Sequence, residues 1–391
     1  MPPLPRPVRS SVPALQAEAA NYPFCTIEPN VGLVTVPDTR LAKLAEMSAS
    51  AKVVAATVEF VDIAGLVKGA SKGEGLGNKF LSHIREVDMV VQMVRCIEDD
   101  DVVHVDGRVD PVADVDTINV ELALRDIEQI EQRLVKLQKK ARIAADQVRN
   151  DTEAAALQKL LPFLEEGKPA RSVELKEEEE EVVAQLCLLT MKPVIFAANV
   201  SEDDLADKGA SNDNVKALRE YAEADGSPVV VVSAAVEAEL ADLEADERGE
   251  YLAALGVEEG GLGSLVRATY GKLGLRTYYT TGETESRAWT IPVGATAPQA
   301  AGVIHGDFER GFIAAETIAY DDYVELGGRA GAREAGKLRA EGKEYVVEES
   351  DVLEFRYGAF ARSAGDSPAR LWPHDLTPTA LSPPETRRFN V

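Results

Sequence analysis

An apolar run that ends in aspartate and opens into a glycine-dense loop is the feature that most constrains how this chain can fold. The run Val58–Asp62 is short and almost entirely apolar, so it predicts a strand buried on both faces of a sheet. Five glycines within the thirteen residues 65–77 are too many for a hairpin and favour a loop that changes conformation. They are Gly65, Gly69, Gly73, Gly75 and Gly77.

The spacing of Asp62 and Gly65 gives this strand end a chemical interpretation. In P-loop nucleoside triphosphatases, an Asp that ends a buried strand holds magnesium through water, and the Gly three residues later brings a backbone N–H to the γ-phosphate. We therefore expect Asp62 beside Mg²⁺ and Gly65 beside the terminal phosphate. Spacing alone leaves a second interpretation open, because an Asp-Gly turn at a strand end is common.

Three further apolar runs resemble the first and predict a parallel sheet covered by helices on both faces. Because ligands of open α/β sheets bind outside the carboxyl ends of the strands, polar residues at those ends converge on one crevice. Three of the four runs end in such a residue, namely Asp62, Asn199 and Ser233. The runs are Val58–Asp62, Met89–Arg95, Pro193–Asn199 and Val229–Ser233.

Composition limits the class of protein. The 391 residues leave room for two or three domains. A net charge of −25 opposes non-specific adhesion to nucleic acid or anionic lipid, and no apolar run reaches the roughly 18 residues that cross a bilayer, so we expect neither a DNA nor a membrane partner. The three scattered cysteines, Cys25, Cys96 and Cys187, favour a reducing compartment over a disulfide framework.

A helical insertion is predicted at about residues 117–190. Apolar residues between Val120 and Ala141 recur at steps of three and four, as along a coiled coil or an antiparallel helical hairpin. We expect the return helix at Val173–Leu189, with the acidic run Glu177–Glu181 on its solvated face. Such an arm could bind a partner or simply pack against its own sheet.

The character of the sequence changes at about residue 275, where short strands and one helix predict a β-grasp domain. The helix is Ala297–Ile304, opened by Pro298. The segment 329–343 carries five cations, which could meet RNA phosphates or form an exposed basic surface. The expected strands are Arg287–Val293, Ile313–Ile318, Tyr323–Leu326, Tyr345–Val347 and Val352–Phe355.

Several long motifs in one order resemble the YchF/Obg-like ATPase family between Ala19 and Arg356. That resemblance implies a translation-factor-class P-loop ATPase that prefers ATP to GTP, with a coiled-coil insertion and a C-terminal TGS domain. It also implies a monomer that associates with the large ribosomal subunit, in the cytoplasm or an organelle. The motifs are Asn21–Asn30, Phe60–Leu81, Asn199–Glu202, Arg287–Ile304 and Asp307–Ile313.

The resemblance also implies roles for individual residues. Asn199 and the Val200 backbone would read adenine, with Ser201 beside them and Glu202 where guanine-specific relatives carry Asp. Thr26 would coordinate magnesium together with Asp62 through water. His104 would orient the attacking water, although a structural histidine is as plausible, and Cys25 would be either a redox-sensitive or a buried thiol. The loop expected to close over the base is Ser233, Ala234 and Ala235.

One departure from the family pattern bears on activity. The motif G-x-x-x-x-G-K-S/T, which cradles the phosphates, occurs nowhere in the 391 residues. Residues 1–18 are instead rich in proline and predict neither strand nor helix, so we expect a nucleotide-binding domain over 19–274 that lacks its central strand. We therefore predict no appreciable ATP hydrolysis by this sequence.

A second departure separates Phe355 and Arg356 from the family-like ending 388–391. The intervening segment 357–387 is rich in Pro, Ser and Ala and predicts a disordered insertion, which leaves the β-grasp domain at 275–356. The two departures together suggest an imperfect gene model. Two functions stay open, a ribosome-associated ATPase and a non-catalytic pseudo-ATPase that binds ribosomes or other partners.

Overall fold

A computed structural model describes residues 30–62, 84–97, 109–140, 147–358 and 388–390. Four predicted site residues lie outside these ranges: Cys25, Thr26, Gly65 and His104. The segments 1–18 and 359–387 lie outside them as well. The strands are β1 (Asn30–Thr35), β2 (Lys52–Val54), β3 (Thr57–Asp62), β4 (Met89–Arg95), β5 (Val194–Asn199), β6 (Val229–Val232), β7 (Leu275–Thr280), β8 (Glu285–Pro292), β9 (Phe312–Ala319), β10 (Arg339–Glu341), β11 (Asp351–Tyr357) and β12 (Arg388–Asn390). The helices are α1 (Thr39–Met47), α2 (Pro111–Lys140), α3 (Gln147–Glu165), α4 (Glu177–Ala184), α5 (Asp213–Asp225), α6 (Ala234–Asp242), α7 (Ala245–Ala254), α8 (Gly261–Lys272), α9 (Ala297–Ile304), α10 (Gly306–Arg310), α11 (Tyr320–Glu325) and α12 (Arg329–Glu334).

The first sheet has the order β1-β3-β12-β4-β5-β6, and all of its strands except β1 run parallel. Helices cover both faces, which explains why the sequence of β5 is apolar throughout. On one face Phe196 packs with Val115 of α2 and Leu218 of α5. On the other face Ile195 packs with Val266 of α8. The parallel sheet covered on both faces agrees with the prediction.

The centre of this sheet differs from the prediction, because β12 lies between β3 and β4. Its register pairs Phe389 with Phe60 on one side and with Met89 on the other, both in parallel. The expected gap at the central strand is therefore occupied in part by residues 388–390.

A helical arm follows β4, but its return helix is not where the sequence placed it. The returning helix is α3, on which Leu157, Leu160 and Leu164 are buried against α2 and its neighbours. Within the predicted range Val173–Leu189 only the eight-residue α4 is helical, since Cys187 with φ 48° takes the left-handed conformation soon after it. In the part of the chain that the structure describes, no helix combines the length and the apolar character needed to cross a membrane.

The second sheet has the order β10-β9-β11-β7-β8-β2 and is crossed by α9, a β-grasp-like arrangement. The helix α9 has the predicted bounds, and Thr296 with Gln299 forms its capping box. Two predictions are wrong. Residues Tyr323–Leu326 fall mostly in helix α11, where Asp321 and Asp322 favour a helix N-terminus, and Tyr345–Val347 makes only an isolated bridge through Val346.

The segment between β1 and β3 belongs to the second sheet. Strand β2 pairs in parallel with β8, and Leu41 and Leu44 of α1 are buried with Tyr279 and Ile318 of that sheet. The Tyr279 hydroxyl donates to Asp38, whose carboxylate also caps α1. The second sheet is therefore built from two stretches of sequence, and the boundary predicted at 275 misses the first of them.

Candidate functional site

The carboxyl ends of the parallel strands lie along one edge of the first sheet. The register pairs Arg95 with Asn199 and Asn199 with Val232, the residue before Ser233. Asp62 ends β3, three strand positions from β5, which corresponds to about 14 Å along the edge. The structure thus brings Asn199 and Ser233 together and places Asp62 farther along the same edge.

Asn199 connects two loops at this edge. Its Oδ1 accepts a hydrogen bond from the Ala234 N–H at 3.0 Å, while its backbone carbonyl accepts from Cys96 at 2.9 Å. A carbonyl oxygen has a second lone pair, and the amide nitrogen of Asn carries two donors. The side chain is therefore fixed in place and still able to donate to and accept from a ligand.

Ser233 is buried without a partner for its hydroxyl. Its side chain precedes α6 in the N-cap position but makes no capping hydrogen bond, and its Oγ has no partner among the described residues. Burying an unpaired hydroxyl costs free energy, so such groups are uncommon and often belong to a site. Ala234 and Ala235, the first residues of α6, complete the predicted loop.

The loop after β5 is held by two residues that the sequence analysis did not single out, Asp204 and Asn212. Ser201 donates to Asp204 Oδ2 at 3.1 Å, and Asn212 Nδ2 donates to the same oxygen at 3.0 Å and to the Cys96 carbonyl at 3.0 Å. Asn212 also caps α5. An Asn directly before a helix is a recognisable sequence signal, and here it fixes the loop that carries Glu202 on its exposed side.

Asp62 is half-buried, and this burial raises the pKa of its carboxyl. Carboxylate oxygens suit Mg²⁺, and a bound cation would favour the ionised form that burial disfavours. Its proposed partner Thr26 lies outside the described residues. Within the described ranges no cluster of three or more His, Cys, Asp or Glu side chains is arranged to hold a metal. The fit to magnesium therefore depends on Asp62 alone.

The basic segment of the second sheet is largely neutralised. Four of its five cations lie in ion pairs, among them Lys337 with Asp322 at 3.1 Å and Arg339 with Glu341 at 3.4 Å. Arg329 bridges Glu354 and the buried Glu316, which Arg333 also approaches at 3.9 Å. Most of this positive charge thus stabilises the domain itself, so the segment is a poorer match to RNA phosphates than its sequence suggested.

Comparison with known proteins identifies the family. Residues 10–145 match a family model described as a 50S ribosome-binding GTPase, and residues 275–358 match the YchF GTPase C-terminal model, described as a protein of unknown function. The ribosome-binding ATPase YchF of Bacillus subtilis (strain 168) is 54% identical over 345 residues, which is 87% of this chain and 92% of that protein. The chain belongs to the YchF family.

Other members of the YchF family agree. The ribosome-binding ATPase YchF of Escherichia coli O157:H7 is 51% identical over 340 residues, or 87% of this chain and 92% of that protein. The solved structure of the Schizosaccharomyces pombe YchF GTPase superposes with a TM-score of 0.74 at 37% identity, covering 86% of this chain and 90% of that one. The family resemblance deduced from the motifs and the P-loop GTPase-like α/β fold are both confirmed.

Proposed function

We propose that this chain is a ribosome-associated YchF protein that recognises adenine nucleotide at the carboxyl edge of the first sheet and, with the sequence as it stands, does not hydrolyse it. The observation that carries the proposal is the contact of Asn199 with the Ala234 N–H beside the buried, unpartnered Ser233 hydroxyl. This arrangement offers fixed donors and acceptors where a base would lie.

The chemistry of Asn199 suits adenine. An Asn amide pairs with adenine by donating to N7 and accepting from the N6 amino group. By resemblance to the YchF family, the Val200 backbone adds a contact to the base. Glu202 stands where guanine-specific relatives carry an Asp that accepts from both guanine N–H groups. Ser201, which is held by Asp204, fixes the loop in position. We therefore assign the preference for ATP over GTP to this loop.

Magnesium and the phosphates would lie toward Asp62. Asp62 would hold the ion through water with Thr26, the Gly65 N–H would approach the γ-phosphate, and His104 would orient the attacking water. The ion supplies charge neutralisation on the phosphate oxygens when it is bound. Without the G-x-x-x-x-G-K-S/T motif the site lacks several charge-assisted hydrogen bonds of about 1.5–3 kcal/mol each, so binding is weak and turnover is lost.

The names of the relatives, ribosome-binding ATPases, support a proposal for the partner. We propose the ribosome, through its large subunit, as the partner of this chain too, with the chain acting as a cytoplasmic monomer. With a net charge of −25, its contacts would be local rather than a general attraction to RNA.

Titration of a fluorescent ATP analogue with and without Mg²⁺ tests this function, alongside phosphate release and co-sedimentation with ribosomes. We expect measurable Mg²⁺-dependent binding that is weaker than micromolar, a further loss of tenfold or more in Asn199→Ala, and no phosphate release. Asn214→Ala on α5 is the matched control and should bind as the unmodified chain does.

The alternative is a partner-binding protein that uses no nucleotide. The strand β12 in the central position of the sheet favours it, since the strand that leads into a phosphate loop would lie there. Retained co-sedimentation with ribosomes and no binding of the analogue up to millimolar concentration would establish this alternative.

A further inference from the structure

The central position of the first sheet is a slot bounded by two buried strands. Strand β3 pairs with β1 on its outer side, and β4 pairs with β5, so each turns its other side toward the slot. Val58, Phe60, Met89 and Val91 along it are buried. Backbone N–H and C=O groups of buried strands need partners, so an empty slot here would be costly.

The occupant of the slot is paired on both sides. Arg388, Phe389 and Asn390 are in register with Glu59, Phe60 and Val61 of β3. On the other side Phe389 and Asn390 are in register with Met89 and Val90 of β4. Both pairings are parallel, so β12 has the direction of every strand around it except β1.

The slot is only partly filled. Pairing of β12 with β4 ends at Val90, and no described strand lies beside Val91–Val94 on that side. Met93 in this stretch is 46% exposed, although Val91 and Val94 are each 1% exposed. The open part is the half that leads to the carboxyl edge, where Asp62 and Asn199 lie.

Residues 388–390 are not required to complete the second sheet. Strand β11, which ends with Phe355, Arg356 and Tyr357, is paired with β9 on one side and with β7 on the other. Twenty-nine residues separate Gly358 from Arg388, which gives up to about 95 Å of contour length for reaching the first sheet.

We propose that residues 388–390 act as a donor strand, which enters the first sheet from the C-terminal side of the chain and holds β3 and β4 in alignment. Donor-strand addition is an established mode of peptide recognition, in which main-chain hydrogen bonds supply the affinity. The donor is this chain's own segment. The inference does not depend on nucleotide binding.

A cysteine pair tests the register. Val61→Cys with Asn390→Cys joins residues directly opposite each other in neighbouring strands, a separation that a disulfide can span. Val61→Cys with Phe389→Cys is the matched control, because a shift of one residue turns the second side chain to the other face. On mild oxidation of the full chain, we expect the first pair to link within one chain at least tenfold faster than the control, as mapped by peptide mass spectrometry.

Three outcomes would overturn the proposal: equal rates for the two pairs, no link in either, or links only between two chains. The last outcome would assign the slot to the strand of a second copy. The link is read on the peptide map, so its presence or absence does not depend on whether the chain binds ATP.

A proline variant tests the role of the strand by hydrogen exchange. Proline removes an N–H and is excluded from central strands, so Phe389→Pro should raise exchange at Val58–Val61 and Met89–Val91 at least tenfold. Phe389→Ile should leave exchange unchanged, and β8 and β9 in the second sheet report that the variant is folded. Unchanged protection of β3 and β4 in the proline variant would contradict the proposal.

Discussion

At the scale of the residue, the carboxyl edge of the first sheet combines one satisfied and one unsatisfied polar side chain. Asn199 is fixed by the Ala234 N–H, while the buried Ser233 hydroxyl has no partner among the described residues. Groups kept unpaired for a ligand reduce the stability of the free protein, and this trade-off is common at functional sites. Replacing Ser233 by alanine should therefore affect the stability of the free protein differently from replacing a hydrogen-bonded polar side chain.

Ser233→Ala should stabilise the free chain. Removing a buried hydroxyl that has no hydrogen bond recovers its desolvation cost, so we expect the free energy of unfolding to rise by about 1 kcal/mol in urea titrations. The matched control is Ser50→Ala, whose hydroxyl bonds Gly282 and Ser286 at 2.7 Å each and whose loss should destabilise by a similar amount. Equal destabilisation by both changes would contradict this assignment for Ser233.

At the scale of the element, the helical arm depends on the apolar face of α3. Ala156, Leu157, Leu160 and Leu164 are buried together with Ile130 and Leu137 of α2. The ion pairs Arg133–Glu153 and Lys159–Glu179 flank this core. Partly exposed pairs of this kind contribute little, so most of the stability of the arm comes from its leucines.

Leu160→Ala should unfold the arm more easily. The side chain is fully buried, and the cavity it leaves should cost about 2–5 kcal/mol. Val148→Ala on the same helix, where the side chain is 82% exposed, should change stability by less than about 0.5 kcal/mol. Circular dichroism during urea unfolding measures both, and a loss below 1 kcal/mol for Leu160→Ala would show that α3 is not packed as described.

The position of α3 also shows where sequence patterns stop being informative. The spacing of apolar residues predicted the helix α2. The same spacing placed the return helix at 173–189 and missed the helix Gln147–Glu165. In the second sheet Pro298, in the first turn, predicted α9 correctly, because that signal is local. The helix α11 was misread as a strand since Tyr323 and Val324 have strand propensity, and tertiary packing overrode it.

The candidate site was partly predictable. Parallel strands share one carboxyl edge, so the sequence predicted Asn199 and Ser233 at the same edge, and the pairing of β5 with β6 brings them together. The bracing of the loop by Asn212 and Asp204 was not foreseen, because contacts between side chains eight residues apart depend on the turn between them. The filling of the central slot by β12 could not be read from local sequence either, since three residues carry almost no pattern.

At the scale of the whole molecule, α1 and β2 join the two sheets. They lie between β1 and β3 in sequence, yet they pack on the second sheet through Leu44, Tyr279 and Ile318. The antiparallel pair β1–β3 carries Asp62 at the end far from this segment. Val36, directly after β1, packs against the hydrophobic cores of both sheets and so connects this pair to the second sheet. We expect the two sheets to respond together when this core is weakened.

Leu44→Ala should loosen both sheets. The side chain is fully buried on α1, so its loss should cost about 2–5 kcal/mol and increase hydrogen exchange in β8 as well as in β3. Lys43→Ala, on the exposed side of the same helix, removes a surface ion pair with Glu46 at 2.9 Å and should change exchange in neither sheet. An effect of Leu44→Ala confined to β8 and its neighbours in the second sheet would show that the two sheets are not coupled through this core.

The parallel pairing of β2 with β8 also bears on how the chain is made. Ser50 and Gly282, which are in hydrogen-bond contact, are 232 residues apart in sequence. Contacts between residues so far apart in sequence form late in folding, because the chain loses the entropy of closing a long loop before these contacts stabilise it. During synthesis on the ribosome, Thr39–Val54 stays unpaired until the last third of the polypeptide, which contains its partner strands, has emerged. We therefore expect chaperones to bind the nascent protein at this segment.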